Sequence, residues 1–152
     1  MPAVFGVEYL KAGQTFSIRD LKKAERRQNI KVQRGDVVLF HTGWTDAKLE
    51  KHPEEWGAEI PGITPALAEY LAELEVVAVG ADTYGLDVVP PVNPEEPFQG
   101  HVILLQQNGI YILEAMNTGP LVKDEAYEFL FVLGQAKVRG AVQMYINPIA
   151  IR

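Results

Sequence analysis

VVAVGADT, residues 76–83, is a run of small and β-branched apolar residues that ends in the polar pair Asp82 and Thr83. A nearly continuous apolar run is typical of a strand that is buried on both faces of a sheet. GDVVLFHTGW, residues 35–44, has the same character. The two stretches predict two buried strands, and the strand at 76–83 ends in a polar tip.

One helix is predicted before the strand at residues 35–44 and another after it. Ser17 followed by Asp20 has the arrangement of a helix N-cap with a capping-box partner, which predicts a helix from Ser17 to about Asn29. The dipeptide Thr64-Pro65 predicts a second helix, with Thr64 as N-cap and Pro65 as first helical residue.

The remaining segments predict further strands. AVFGVEYL (Ala3–Leu10) predicts a first strand, and residues 126–152 predict two or three more. Strands and helices alternate at first and strands dominate later. The expected fold class is therefore α/β, a mixed β-sheet with flanking helices, in a single domain over residues 1–152.

The composition excludes several kinds of function. A net charge of -6 argues against nucleic acid as a partner, because that binding needs clustered basic residues. The chain has no cysteine, and its single serine, Ser17, is accounted for as a helix cap. No apolar run is long enough to span a membrane, so we expect no membrane partner. The absence of cysteine fits a cytoplasmic protein. Any chemistry must use histidine, carboxylates, lysine, tyrosine, water or a metal.

HVILLQQNGIYILE, residues 101–114, has a histidine at its head and a glutamate at its end. Asn108-Gly109 in the middle allows a hairpin, or a short helix that ends there and is followed by a strand. The non-alternating residues 102–105 favour the helix slightly. In either structure Glu114 can return close to His101. Two residues are fewer than the three or four ligands that a metal site normally needs.

The chain has two other histidines, His41 and His52. His41 follows an apolar strand and is predicted to be a hydrogen-bonded core residue or a ligand, with the core role favoured. His52 lies in a charged loop and is predicted to be solvated.

Four segments carry a resemblance to a known family. GDVVLFHTGW, PGITPALAEYLAELEVVAVGADT, HVILLQQNGIYILE and NPIAIR stand in the order and spacing of the C-terminal portion of the cyclase family of metal-dependent hydrolases. That family includes kynurenine formamidase and isatin hydrolase. The resemblance implies a swivelling β/β/α fold, oligomers, a zinc or manganese cofactor, and hydrolysis of an amide or ester bond in a small cyclic or aromatic substrate. The family's histidine and glutamate ligands match His101 and Glu114.

The sequence also departs from the family pattern. The main metal motif of the family, His-x-Gly-Thr-His-x-Asp, has no counterpart here, and HTGW at His41 lacks its second histidine and its aspartate. Residues 142–145 (VQMY) replace a small-residue turn, and Glu114-Ala115-Met116 stands where relatives often read Glu-Asn-Leu. The resemblance therefore predicts a truncated family member that lacks a complete metal site and is weak or inactive as a hydrolase on its own.

Two alternative functions remain open. In the first, a metal held by His101, Glu114 and either His41 or Asp82 activates water for hydrolysis. In the second, the chain binds a small molecule without chemistry, in a pocket lined by His41, Trp44, Asp82, Thr83 and Tyr84.

Two expectations concern the assembly of the protein and the pair His101 and Glu114. We expect a homo-oligomer, most simply a dimer, that pairs through the terminal strands from Tyr127 to Arg152. We also expect His101 and Glu114 to face one shared pocket beside the tip of the VGADT strand, without a tightly bound metal.

Overall fold

The computed structural model describes all 152 residues. The strands in chain order are β1 (Thr15–Phe16), β2 (Val37–Phe40), β3 (Gly62–Ile63), β4 (Ala78–Ala81), β5 (Tyr111–Leu113), β6 (Leu130–Val132) and β7 (Ile149–Ile151). The helices are α1 (Pro2–Phe5), α2 (Ile18–Gln28), α3 (Trp44–Lys48), α4 (Pro53–Ala58), α5 (Pro65–Glu73), α6 (Gln99–His101) with a π-helical continuation (Val102–Gln107), and α7 (Gly119–Lys123). None of these helices combines the length and the apolar character needed to cross a membrane.

The central sheet is parallel, in the order β2-β4-β5. All four residues of β4 are buried, as predicted for a strand covered on both faces. The same prediction for β2 is wrong in part, because Val38 and Phe40 are buried while Val37 and Leu39 are half-buried. The second face of β2 is covered by the C-terminal segment, which packs there more thinly than the helices pack on the first face.

The core lies between the central sheet and helices α2 and α5. Phe16 and Phe40 pack with ring centroids 4.9 Å apart, and Leu67, Leu71 and Leu104 are fully buried. The loops after the strand ends are thereby held on a rigid platform of packed side chains.

Both predicted helix starts are confirmed. The Asp20 carboxylate accepts hydrogen bonds from the Ser17 backbone N–H at 3.0 Å and from its hydroxyl at 2.7 Å. Helix α2 ends at Gln28, and Asn29 caps it in the left-handed region with φ of 54°. Thr64 Oγ1 accepts from the Leu67 N–H at 3.3 Å, and Pro65 is the first residue of α5. Local capping chemistry therefore fixes these two helix starts.

The predicted strand Ala3–Leu10 is wrong. Residues 2–5 form the short helix α1, which begins at Pro2 and ends at Phe5, and Gly6 caps it with φ of 69°. The apolar residues of this segment favour a strand. However, proline at the first helical position and glycine after the last are start and stop signals for a helix.

The segment 101–114 adopts the helical alternative, and the hairpin alternative is wrong. Helix α6 continues through His101 into the π-helical turn, and Gly109 follows with φ of 65°. The Ile110 N–H donates to Leu104 O at 2.8 Å, after which the chain enters β5 beside β4. The four consecutive apolar residues at its start are thus helical.

The chain closes with an antiparallel ribbon of β6 and β7, in which Leu130 pairs with Ile151 and Val132 with Ile149. Two strands therefore form where two or three were predicted. The parallel central sheet, the antiparallel ribbon and the flanking helices together confirm the predicted α/β class.

Candidate functional site

Three strand ends define one edge of the central sheet. Because β2, β4 and β5 are parallel, their carboxyl ends meet at the same edge. His41, Asp82 and Glu114 follow the last residues of these three strands. In open α/β sheets, ligands bind in the crevice outside this edge. The candidate site is therefore expected at this edge of the sheet.

Asp87 anchors the first polar cluster. It is buried, and its Oδ1 accepts from the Gly100 N–H at 2.6 Å. Its Oδ2 lies 3.0 Å from the His101 backbone nitrogen, which donates to it, and 2.6 Å from His101 Nδ1. A Cβ at Gly100 would lie 2.6 Å from Asp87 Oδ1, so a side chain there would displace the carboxylate. One buried carboxylate thus fixes both the backbone and the ring of His101.

The other nitrogen of the His101 ring points to Glu114. His101 Nε2 lies 3.3 Å from Glu114 Oε1, and both side chains are about one-third exposed. Hydrogen bonds to Asp87, and secondly to Glu114, raise the pKa of His101 to about 9 although burial opposes the shift. The imidazole therefore carries a proton on both nitrogens at neutral pH.

Local backbone geometry brings this pair together. Phe98 begins α6 in the left-handed region with φ of 56°, and its ring meets the edge of the His101 ring at 6.2 Å between centroids. After Glu114, Ala115 has φ of 50°, and its N–H donates to Thr83 O at 2.7 Å. The chain beyond β5 thus stays bound to the segment after β4. A Cβ at Gly85 in that segment would lie 3.8 Å from Glu114 Oε1.

His41 and Asp82 form a second polar cluster. Asp82 Oδ1 accepts from the Thr42 backbone N–H at 2.6 Å and from the Thr42 hydroxyl at 2.8 Å. Its Oδ2 is buried without a hydrogen-bond partner and lies 3.9 Å from His41 Nδ1. That nitrogen is 2.9 Å from Thr118 Oγ1 instead. Burial lowers the pKa of His41 although the Asp82 charge acts in the opposite direction.

The other residues of the predicted pocket make structural contacts. Trp44 is buried and donates its indole N–H to Trp56 O at 3.3 Å. Thr83 is buried and donates to Gly85 O. The Tyr84 ring packs against Trp56 at 5.8 Å between centroids, and its hydroxyl donates to Ala58 O at 3.3 Å. The structure therefore places His41 near Asp82, whereas the side chains of the three others make structural contacts.

A cleft of about 510 Å³ lies beside the C-terminal ribbon. Its walls are mostly apolar, with Asn117, Thr118 and Arg152 as polar members; the apolar and backbone walls come from Leu39, Met116, Pro120, Leu121, Phe131, Pro148, Ala150 and Ile151. None of the five predicted pocket residues lines it, and neither do His101 and Glu114. The cleft is separate from the His101 cluster, but it adjoins the second cluster at Thr118, whose Oγ1 lies 2.9 Å from His41 Nδ1.

The residues of the His101 cluster fit part of the ligand set of zinc or manganese. Two ligands of a tetrahedral zinc ion lie about 3.4 Å apart, given metal–ligand bonds of roughly 2.0–2.1 Å. The distance of 3.3 Å between His101 Nε2 and Glu114 Oε1 fits two such positions. Asp87 is bound to the opposite nitrogen of the ring, and no group of three or more histidine, aspartate or glutamate residues could hold one ion. The residues present fit half of a metal site and do not complete it.

Sequence reasoning missed Asp87. It stands in the apolar stretch LDVVPP, 14 positions before His101, where no spacing rule connects the two. The available signal was an acidic residue within an apolar run, since buried carboxylates are paired or hydrogen-bonded. That signal indicates a partner without identifying it.

The chain is similar to known proteins in sequence and in fold. The model of the Cyclase family matches residues 5–88, which is more than half of the chain. A search of curated proteins found no match.

Several solved structures share the fold. A novel cyclase has a TM-score of 0.85 and 28% identity, over 99% of this chain and 51% of its own. An isatin hydrolase bound to the product analogue thioisatinate has a TM-score of 0.75 and 20% identity, over 91% of this chain and 53% of its own. A potential metal-dependent hydrolase with cyclase activity has a TM-score of 0.58 and 18% identity, over 94% of this chain and 65% of its own. The chain spans about half the length of the first two structures, and the fold implied by the resemblance is confirmed.

Proposed function

Because this chain belongs to the cyclase family, we propose that His101 and Glu114 are one half of a metal-dependent hydrolase site. The reaction class is hydrolysis of an amide or ester bond in a small cyclic or aromatic substrate, as in a kynurenine formamidase-like enzyme. On its own, the 152-residue chain holds zinc or manganese weakly and hydrolyses such bonds at a rate near background.

The arrangement of Asp87, His101 and Glu114 carries this proposal. Metal-binding histidines usually donate their second ring N–H to a carboxylate, which fixes the orientation of the ring. Asp87 occupies that place at 2.6 Å from His101 Nδ1, so Nε2 is the nitrogen left to face an ion together with Glu114. The half-site is therefore preorganised by its own chain.

The incomplete ligand set explains the low activity that we propose. A catalytic zinc site uses three protein ligands and one water, and a bound metal would lower the pKa of that water. His101 and Glu114 provide two ligands, and the proton on His101 Nε2 must leave before that nitrogen can bind an ion. Water that is not bound to a metal supplies little hydroxide at neutral pH.

The test combines elemental analysis with an activity assay on the purified chain. The substrates are a formyl-anilide, an aromatic ester and a cyclic imide, each with and without added zinc or manganese. We expect less than stoichiometric metal, turnover near background and no rescue by either ion. The matched variants are His101→Ala and His52→Ala, because His52 is an exposed histidine away from the cluster.

Two results would contradict the proposal of low activity. One is stoichiometric metal in the wild-type chain. The other is turnover that disappears in His101→Ala and persists in His52→Ala. Either would show that the site is complete enough to work and would favour the metal-dependent hydrolase that the sequence left open.

A second candidate function is the binding of a small molecule without chemistry, which the cleft of about 510 Å³ favours. Small-molecule sites typically have volumes of roughly 300–1,000 Å³, with mostly apolar walls and few polar groups. The cleft has both properties, and Phe131 supplies an aromatic wall for a flat ligand.

Methionine methyl resonances can test this second function. Met116 lines the cleft and Met144 does not. Titration with isatin or benzoate should shift the Met116 signal in a saturable way and leave Met144 unchanged. Equal shifts of both signals, or none, would argue against a binding site in the cleft.

A further inference from the structure

Phe98 is an exposed aromatic residue beside the half-site. It occupies the N-cap position of α6, where small polar residues and glycine are preferred, and its side chain makes no capping hydrogen bond. Its backbone lies in the left-handed region with φ of 56°, which is unfavourable for a bulky side chain. The side chain is 54% exposed. Neither helix capping nor core packing therefore accounts for a phenylalanine at this position.

The position of the Phe98 ring gives it a role at the sheet edge. The rings of Phe98 and His101 are 6.2 Å apart between centroids and stand at 78° to each other. His101 Nε2 is in turn 3.3 Å from Glu114 Oε1. Bulky residues in the left-handed region cluster at binding and active sites. A flat ring can pack on Phe98 while a polar group of the same molecule contacts Glu114.

The charge around these side chains is negative. Asp87 and Glu114 both contact the His101 ring, so two carboxylates exceed the single positive charge that an imidazole can carry. Glu95 and Glu96 add two exposed carboxylates in the turn that precedes Phe98. Opposite charge is attracted to such a group of carboxylates and like charge is repelled.

The same sign of charge extends through the sequence that forms this edge of the site. Residues 52–122 contain none of the 14 lysine and arginine residues of the chain and 11 of its 20 aspartate and glutamate residues. Phe98, His101 and Glu114 all lie in this range. Surfaces of one charge sign raise the local concentration of ligands of the other sign. A carboxylate on a ligand is therefore repelled here, and an ammonium group is attracted.

We infer that the half-site selects aromatic amides or esters that carry a positive charge, and that Phe98 is the specificity-determining residue on which their ring packs beside His101 and Glu114. This inference rests on the proposed hydrolase function and specifies its substrate class. Packing on Phe98 favours an aromatic ring, and the ammonium group adds attraction to the carboxylates and to the face of the Phe98 ring. Neutral aromatic compounds bind more weakly, and aromatic carboxylates bind most weakly.

Nuclear magnetic resonance titrations with three probes of similar shape test the charge preference. The probes are para-(aminomethyl)formanilide, para-methylformanilide and para-formamidobenzoate, which are positive, neutral and negative at neutral pH. Binding to the full chain is followed through the ring resonances of Phe98 and His101, with a metal chelator present. The dissociation constant should rise about fivefold at each step from the positive to the negative probe at low salt. At about 1 M salt, screening should reduce each step to less than about twofold.

Two pairs of variants separate the role of the ring from that of the charges. Phe98→Gly should weaken all three probes about fivefold and retain the fold, because glycine adopts the left-handed region readily, whereas Phe98→Tyr should retain the affinities. Glu95→Gln/Glu96→Gln should narrow the ratio between the positive and negative probes about twofold. Glu73→Gln/Glu75→Gln makes the same change of charge before the amino end of β4, and should leave that ratio unchanged.

Four results would overturn the inference. They are equal affinities for the three probes at low salt, tightest binding of the carboxylate probe, affinities that do not change in Phe98→Gly, and no binding of any probe. Failure of the proposed function is a separate result, because it is measured by metal content and turnover, whereas these titrations measure affinity in the presence of a chelator.

Discussion

His101 and His41 lie at the same edge of the central sheet, and their environments shift their pKa values in opposite directions. His101 contacts two carboxylates, and its pKa rises to about 9. His41 is more deeply buried, contacts the Thr118 hydroxyl and lies 3.9 Å from Asp82, and its pKa falls. Direct hydrogen bonds to carboxylates thus outweigh burial in the pKa of His101. In the pKa of His41, burial, together with the N-terminal ammonium, outweighs the charges of Asp82 and Asp46.

The largest expected effect compares the same substitution at the two aspartates. Asp87→Asn should lower the free energy of unfolding by about 2–3 kcal/mol, because both oxygens accept hydrogen bonds and an amide must turn its NH₂ against at least one donor. Asp82→Asn should cost less than ~1 kcal/mol, because Oδ1 still accepts from Thr42 and Oδ2 has no partner to lose. Chemical denaturation measures both. Equal losses of unfolding free energy would show that the two carboxylates stabilise the fold to the same extent.

The next effect is the pH dependence of stability that comes from His101. Its pKa is raised from 6.5 to about 9, so the folded protein binds this proton more tightly than the unfolded chain does. The stabilisation should be fully present below pH 6.5 and should be lost as the pH rises through about 9. Nuclear magnetic resonance of the ring protons follows the titration directly. Glu114→Gln should lower the pKa of His101 by less than Asp87→Asn does, and the reverse order would contradict the assignment of Asp87 as the main partner.

His41 should respond in the opposite sense. Its lowered pKa means that stability is present above pH 6.5 and declines as the pH falls below that value. Asp82→Asn removes the charge that opposes the shift, so the pKa of His41 should fall further. Asp46→Asn should produce a smaller fall, because Asp46 is the weaker of the two carboxylate influences. A rise of the His41 pKa in Asp82→Asn would contradict this account.

The smallest effect provides a baseline for both clusters. His52 is exposed, and its Nδ1 lies 3.6 Å from Glu55 Oε1. Exposed ion pairs contribute about 0–1 kcal/mol, so His52→Ala should change the free energy of unfolding by less than ~0.5 kcal/mol. A larger change would mean that the loop around His52 supports the sheet edge, and the comparison between His101 and His41 would then need a different reference.

Local rules predicted the parts of this molecule that depend on local contacts. The caps at Ser17 and Thr64 use groups three residues apart, so the sequence contains both partners. The approach of His101 to Glu114 followed from a helix and a returning strand within 14 residues. The metal role of this pair remains a prediction.

The parts that were missed depend on contacts that are distant in sequence. The bond from Asp87 to His101 Nδ1 joins a loop to a helix 14 positions later, and no period predicts it. The contacts of the Trp44 and Tyr84 side chains with Trp56 of α4 are also distant in sequence, and no local pattern predicts them. The uncovered face of the ribbon follows from the pairing register of β6 and β7, which the alternating apolar residues did not fix.

The direction in which the His101 side chain points depends on the number of residues in the π-helical turn Val102–Gln107 that follows it. A π-helix holds one more residue per turn than an α-helix, and each residue of an α-helix turns the chain by about 100°. Deleting one exposed residue of this turn, such as Leu105, would let an α-helix form and would rotate His101 against the strand that carries Glu114. Small insertions and deletions here should therefore separate the pair more effectively than conservative substitutions at the same positions. The titration of His101 in the Leu105 deletion would report this as a pKa that moves from about 9 back towards 6.5.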